Sequence, residues 1–420
     1  MAEIRDGKYA PLKVKLLWTA LFFLCFMIGR NIPIPLLHDV ARGSDEADAD
    51  LLNAANIATG GSFFYPSLFS LGLGPWMGAA ILWRFLFIAK FARDHKIPEE
   101  TVNRARYVLV VALAIIQATG LIGRYDIDGL SWGPFTEVGN AEVVVVVFLT
   151  AGALIVAWLA KRNEDLGLGG ITMFILYQLI ITATRNMEVL HDATRTGDDR
   201  RVLVLVILAC LCVAALTVVG GGAELRLHVN KVAIDNGYSG MSYLPIKLNP
   251  AGASPIMYAL TLLVLPQWIA HGIGALVPAT SDGVDRFLGV WGLTGDLGFS
   301  IYLLLLFGLT IFFGLFSVSP QDIAERMEKA GEYFDHVAPG RATRQYVRRR
   351  VVFLSAVTGV LVVILTGLPL YYIRTYPHLQ WLLMAPGTVM IVLGLLWLLQ
   401  EEVADTVIGT KYALTLRAAA

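Results

Sequence analysis

Cys25, Cys210 and Cys212 are the three thiols of the sequence, and each lies in an apolar run. Cys210 and Cys212 stand two apart, so a helix points them to nearly opposite sides. No zinc spacing or disulfide framework can be built from them, and they are expected as small buried apolar residues. The seven histidines are scattered, with no His-x-x-x-His pair. No Gly-x-x-x-x-Gly-Lys-Ser/Thr loop can cradle a nucleotide, and there is no nucleophile elbow or metal-ligand pair. No metal and no cofactor is expected. What the residues offer is physical rather than covalent. In the stretch Leu68-Phe69-Ser70-Leu71-Gly72-Leu73-Gly74-Pro75-Trp76-Met77-Gly78-Ala79-Ala80-Ile81-Leu82-Trp83-Arg84, Gly72 to Pro75 interrupts an apolar run at its start. Irregular backbone at membrane depth is tolerated only where protein covers it or it lines a water-filled cavity. The stretch is therefore expected to face a pathway, and passage along it to be the function.

The elements that would hold such a stretch are membrane helices. Of the 420 residues 56% are hydrophobic and mean hydropathy is +0.64. Only 16% are charged, against roughly 25% in soluble domains, which excludes a soluble globular protein. The net charge is zero and its total points to no class of partner; no nucleic acid is expected. A crossing helix needs about 20 mostly apolar residues. Ten candidates lie at 14–35, 70–90, 105–123, 142–160, 167–185, 201–221, 251–277, 298–318, 351–373 and 380–400. The fifth begins in the glycine-rich Gly167-Leu168-Gly169-Gly170. The first contains Arg30, ends in Ile32-Pro33-Ile34-Pro35 and has no small-residue cleavage site, so it reads as a retained span.

Lys and Arg orient the spans. With the N-terminus inside, 23 of the 33 fall on inside segments, 8 outside, and Arg30 and Arg84 within spans. Both termini are then cytoplasmic. The outer segment 36–60 carries five acids against Arg42, in accord. Five spans per half is an odd number, so the halves 1–195 and 196–420 insert with opposite orientation, which permits an inverted repeat with a central site. Each half has a Gly/Pro-interrupted second span, at Gly72–Pro75 and at Asn249-Pro250-Ala251-Gly252-Ala253-Ser254-Pro255. No residue-level repeat is evident.

Five stretches in order resemble the SecY/Sec61 family of protein-conducting channels. They are Arg30–Pro35; the interrupted stretch at 68–84; Leu244-Pro245-Ile246-Lys247-Leu248-Asn249 to Pro255; Asp322-Ile323-Ala324 with Ala330-Gly331, Pro339-Gly340, Thr343 and Tyr346; and Gly387-Thr388. The resemblance covers nearly the whole chain. It implies an all-α membrane protein, ten transmembrane helices in two inverted five-helix halves around a central pore, in the bacterial cytoplasmic membrane. Phe69 to Met77, then Ile81-Leu82-Trp83, and the Gly169-Gly170 pair are similar to the accessory branch of the family. That branch implies a channel subunit passing unfolded polypeptides and exporting serine-rich glycosylated surface adhesins. It also implies a partner ATPase of the accessory SecA type and small SecE/SecG-like membrane subunits. The chain itself is then not an enzyme.

The resemblance also implies roles for residues. A ring of apolar side chains can seal a pore by dewetting: Met77 with Leu73 and Ile81, Ile175 with Ile171 and Leu179, Met257 and Val392. A plug corresponds to about 54–71, with Gly60, Gly61, Phe63, Phe64 and Tyr65. Spans 2 and 3 against 7 and 8 form a lateral gate, with Arg84 and Asn249 as candidates; a charge near mid-membrane costs about 2.5–3.5 kcal/mol, so Arg84 must face water, a partner or the nearby surface. Loops 222–250 and 319–350 dock the motor, through Arg226, His228, Arg341, Arg344, Arg348, Arg349 and Arg350. The family usually has Arg before the Pro-Gly pair, where this chain has Ala338. Arg348 to Arg350 also abut span 9 as topology-setting charge. The alternatives are the housekeeping channel of the same family, a ten-span secondary transporter, which would need buried ionisable residues in spans 3 to 10, and a membrane-embedded enzyme.

Overall fold

The computed structural model describes residues 2–34, 37–40, 67–88, 99–122, 125–127, 138–185, 197–231, 242–276, 281–293, 295–376 and 379–419. In chain order the helices are α1 (Ala2–Asn31), α2 (Gly74–Ile88), α3 (Glu99–Ile122), α4 (Val138–Leu166), α5 (Gly170–Arg185), α6 (Gly197–Gly222), α7 (Ser254–Leu276), α8 (Ser281–Trp291), α9 (Asp296–Val318), α10 (Pro320–Ala330), α11 (Arg341–Tyr371), α12 (Gln380–Leu383) and α13 (Ala385–Ala419). Short strands are β1 (Leu37–Val40), β2 (Tyr125–Ile127), β3 (Glu224–His228), β4 (Asn230–Lys231), β5 (Tyr243–Lys247) and β6 (Glu332–Tyr333).

Each expected span coincides with one of these helices. Among the described residues, eight stretches are long and apolar enough to cross a bilayer, from Leu12–Asn31 to Ala385–Ile408. The other two expected spans, α2 and α5, have 15 and 16 described helical residues, and each begins at a turn with a left-handed glycine. Leu17, Val108, Leu211, Leu304 and Phe353 are more than 60% exposed, a surface that water would not tolerate over such an extent and lipid does. The same solvent corrects one expectation. Cys25 and Cys212 are exposed and Cys210 half-buried, because in a bilayer an apolar side chain gains little by turning inward.

Two compact units emerge, 1–187 with 260–299 and 395–420, and 188–259 with 300–394. In the first, α4 packs against α1, α3 and α5, and α2 lies on α3. Its β1–β2 pair joins two connections expected on one side of the membrane. In the second, α11 packs on α6 and α10. There β3 pairs with β5 and β4 with β6, antiparallel, so the loops 222–250 and 319–350, expected together on the other side, form one small folded body. Its own core holds Leu227, Ile246, Ile323, Met327, Phe334 and Val347.

Candidate functional site

The interrupted stretch solves its backbone problem locally. Consecutive turns run through it: Ser70 N–H donates to Ser67 O at 3.0 Å, Gly72 N–H to Phe69 O at 3.0 Å and Gly74 N–H to Leu71 O at 3.2 Å. Gly72 has φ +54°, a left-handed conformation that costs a residue with a Cβ about 1–2 kcal/mol. Pro33 pairs with Ser67, and Leu68 N–H donates to Ile32 O at 3.0 Å. Protein covers the turns: Phe69 stacks on Phe26 at 5.9 Å, and α4 comes so close at Gly152 that an added Cβ would stand 1.8 Å from the Leu68 oxygen. Leu73, Met77 and Ile81 are all buried.

The same device recurs at the start of α7. Gly252 has φ +62°, and its N–H donates to Asn249 O at 3.4 Å and to Asn249 Oδ1 at 3.1 Å. Asn249, expected at a gate, thus shapes this turn and is buried. Gly72-Leu73-Gly74-Pro75-Trp76-Met77 and Gly252-Ala253-Ser254-Pro255-Ile256-Met257 match position for position. In each, a left-handed glycine precedes a helix with Pro in its first turn and a buried methionine five residues on. A pattern of glycine, any residue, small residue, proline, any residue, methionine was the residue-level signal available in the sequence. Gly387 and Gly394 of α13 pack on Ile256 and Ala253 beside the second turn; Val392 between them is half-buried.

Helix α5 carries Ile171, Ile175 and Leu179. Ile175 and Leu179 are buried, and Ile171 packs against the cluster of Trp76, Ala79, Val110, Leu113 and Ala157. The start of the helix is pinned by residues that the sequence did not single out. Asn163 Nδ2 donates to Leu168 O at 3.0 Å and Gly170 O at 2.9 Å. Leu168 N–H donates to Thr19 Oγ1 at 2.7 Å and Gly169 N–H to Glu402 Oε2 at 2.9 Å. A carboxylate suits the positive end of a helix. Farther along, Arg30 of α1 donates from Nη1 to Gln178 Oε1 and lies 5.6 Å from the Tyr177 ring centre, so the in-span arginine is answered by α5. Asn163→Ala would strand the Leu168 and Gly170 carbonyls in a buried site. It is expected to cost about 2–3 kcal/mol and to lower the unfolding temperature of the detergent-purified protein, measured by a soluble-fraction thermal series.

Helices α3 and α7 meet on small residues, as close membrane packing requires. A Cβ added at Gly120 would stand 2.9 Å from the Trp268 oxygen, and one at Gly272 3.2 Å from Thr119 Oγ1. Ala114, Ala118 and Leu121 of α3 share a buried cluster with Leu71 and with Val264 and Trp268 of α7. Next to this seam Gln117 Oε1 and both amide atoms of Gln267 are buried with no hydrogen-bond partner among the described residues, a cost of about 1–3 kcal/mol for such a group. Close packing of small residues is what brings the two helices together here.

On the folded body formed by the two loops, Arg226, His228, Arg341, Arg344, Arg348, Arg349 and Arg350 are all exposed. Arg226 sits over the Tyr243 ring at 4.8 Å and Arg350 over Tyr346 at 5.4 Å. Thr343 Oγ1 donates to Ala338 O at 3.0 Å and closes the Pro339-Gly340 turn, where Gly340 has φ +80°. Helix α11 begins at Arg341 with no acid in its first turn. Gly60, Gly61, Phe63, Phe64 and Tyr65 lie outside the described residues, as does the side chain of Arg84.

A family model described as SecY matches residues 67–396. A protein of Leuconostoc gelidum subsp. gasicomitatum named accessory Sec system protein translocase subunit SecY2 is 34% identical over 91% of each chain. A protein of the same name from Streptococcus sanguinis is 30% identical, over 95% of this chain and 96% of its own. Among solved structures, a protein-conducting channel superposes with TM-score 0.65 at 15% identity, covering 95% of this chain and 93% of that one. Sec61 in the canine ribosome–channel complex superposes with TM-score 0.60 at 16% identity over the same shares; at such identities the likeness is one of fold. The glycine turns, the helices and the curated relatives agree, and the chain belongs to the SecY family.

Proposed function

We propose that this chain is the channel subunit of an accessory Sec translocase, passing unfolded polypeptides across the cytoplasmic membrane of a bacterium with both its termini inside. The observation that carries this reading is the extent of the curated likeness: relatives at 30–34% identity, matched over at least nine-tenths of each chain, share the SecY2 name. The cargo is serine-rich glycosylated surface protein, and a SecA-type ATPase supplies the energy. Small SecE/SecG-like subunits complete the complex.

In this reading the halves 1–195 and 196–420 insert oppositely, and each contributes its glycine-turn helix to the waist. Leu73, Met77, Ile81, Ile171, Ile175, Leu179, Met257 and Val392 form the ring, with the plug drawn from 54–71. Two methionines at matched positions suit a seal that closes around varied chains, since the thioether side chain is flexible and polarizable. The gate is the α3–α7 seam, where Gln117 Oε1 and the Gln267 amide, without partners among the described residues, keep closure marginal. Arg341 and Arg344 stand at the positive end of α11, where a cation costs the helix about 0.3–1 kcal/mol. They do not serve helix stability, and an acidic surface of the motor is the partner that repays them, together with Arg226, His228 and Arg348 to Arg350.

The test is reconstitution in vesicles with the SecA-type ATPase and a serine-rich substrate, scored by protease protection. Rescue of a conditional housekeeping-channel mutant by this chain would overturn the accessory assignment. Truncating a buried methionine or isoleucine to alanine removes about 2–5 kcal/mol of packing, so Met77→Ala and Ile175→Ala are each expected to raise resting ion conductance in planar bilayers. Wild-type conductance in both would remove these residues from the ring.

A further inference from the structure

Helix α8 returns along α7. At Gly274 an added Cβ would meet the Val284 methyls at 3.6–3.7 Å, and farther on Trp291 Nε1 donates to the Leu263 carbonyl at 2.8 Å. That carbonyl stands three residues before Pro266, the proline inside α7. Proline has no N–H, so the Leu262 carbonyl loses its helical donor, and the ring crowds and opens that turn. A membrane helix keeps such a proline where a neighbour satisfies the opened turn. Here an indole donates to the next carbonyl of that turn, Leu263, and its own position is fixed: Trp291 stacks on Phe287 at 5.4 Å, and Leu288 and Leu293 beside it are buried.

We propose that Trp291 is a positioning residue of the gate: its indole N–H pins the opened turn of α7 at Pro266 and so sets the angle at which Trp268 and Gly272 meet α3. Trp268 and Gly272, which meet Gly120 and Thr119, follow Pro266, whereas Val264 of the same cluster precedes it. A swing about that proline moves the Trp268–Gly272 part of the seam while the helix before it stays in register. Opening breaks the indole bond, and that makes Trp291 part of the threshold. The inference rests on reading the α3–α7 seam as the gate.

The experiment uses the full chain reconstituted with its partner subunits. Trp291→Phe keeps a stacking ring and removes the donor. Losing one hydrogen bond that is made only in the closed state is expected to raise resting conductance roughly three- to tenfold and to slow oxidative trapping of a Thr119→Cys/Gly272→Cys pair. Pro266→Ala returns a donor to the Leu262 carbonyl and removes the ring that opens the turn, so it is expected to shift the trapping rate alone and to reduce the effect of Trp291→Phe when combined with it. A merely structural tryptophan would instead give additive losses in thermal stability. Wild-type conductance and trapping in Trp291→Phe, additivity in the double variant, or no shift in Pro266→Ala should Trp291→Phe not accumulate, would each overturn the pin. If the oxidised cysteine pair translocates normally, the gate reading itself fails, whatever Trp291 does.

Discussion

Gly152→Ala is expected to prevent the chain from reaching its folded state. The added Cβ would stand 1.8 Å from the Leu68 oxygen and 2.8 Å from its carbonyl carbon. The clash is with backbone, which has no rotamer to change. Nor can the turn retreat, because Leu68 is bonded to Ile32 and Ser67 to Pro33. Either α4 leaves the turn, exposing unsatisfied backbone at membrane depth, or the turn unwinds and α2 loses its start. The cost is about 3 kcal/mol or more, the upper end of overpacking. It is read as loss of monodisperse protein after detergent extraction. Gly308→Ala is the control: an added Cβ there meets nothing within 4 Å, and the helix gains up to about 1 kcal/mol of propensity. Equal recovery of the two variants would show that α4 is not seated as described.

Closing the α3–α7 seam covalently is expected to abolish translocation. An added Cβ at Gly272 would stand 3.2 Å from Thr119 Oγ1, the place a cysteine sulfur at 119 would take, so a disulfide can bridge the two positions. With Cys25, Cys210 and Cys212 replaced by alanine, the Thr119→Cys/Gly272→Cys pair should pass substrate when reduced and none when oxidised, and recover on reduction. Protease protection of a radiolabelled substrate measures it. Undiminished passage by the oxidised form would mean that polypeptides do not need this seam to part.

Much of this was legible in the residues. Each of the ten apolar runs coincides with a helix among the described residues, because lipid allows few other ways to satisfy a backbone. The ends were less legible: α11 begins at Arg341 rather than near 351, and α13 continues to Ala419 rather than stopping near 400. Hydropathy marks where lipid begins, whereas arginine and glutamate are good helix formers beyond it. The alternation Glu224-Leu225-Arg226-Leu227-His228 carried a strand signal, and its partner Tyr243–Lys247 is the stretch that carried the family likeness. The shared core of the two loops was not legible, since β4 and β6 lie about a hundred residues apart and short strands say little of their mates. Glu402 and Trp291 were invisible for the same reason. A lone carboxylate or indole near a helix end is ordinary until its distant partner is known. The cysteines misled because burial and contact with lipid look alike in composition.

The bond from Gly169 to Glu402 joins residues 233 apart. Ribosomes add about 5–20 residues per second, so the cap of α5 is made roughly 10–50 seconds after the helix it holds. Until then Thr19 and Asn163, already synthesised, hold that end. A nascent copy therefore carries its fifth helix without this carboxylate until its last helix arrives.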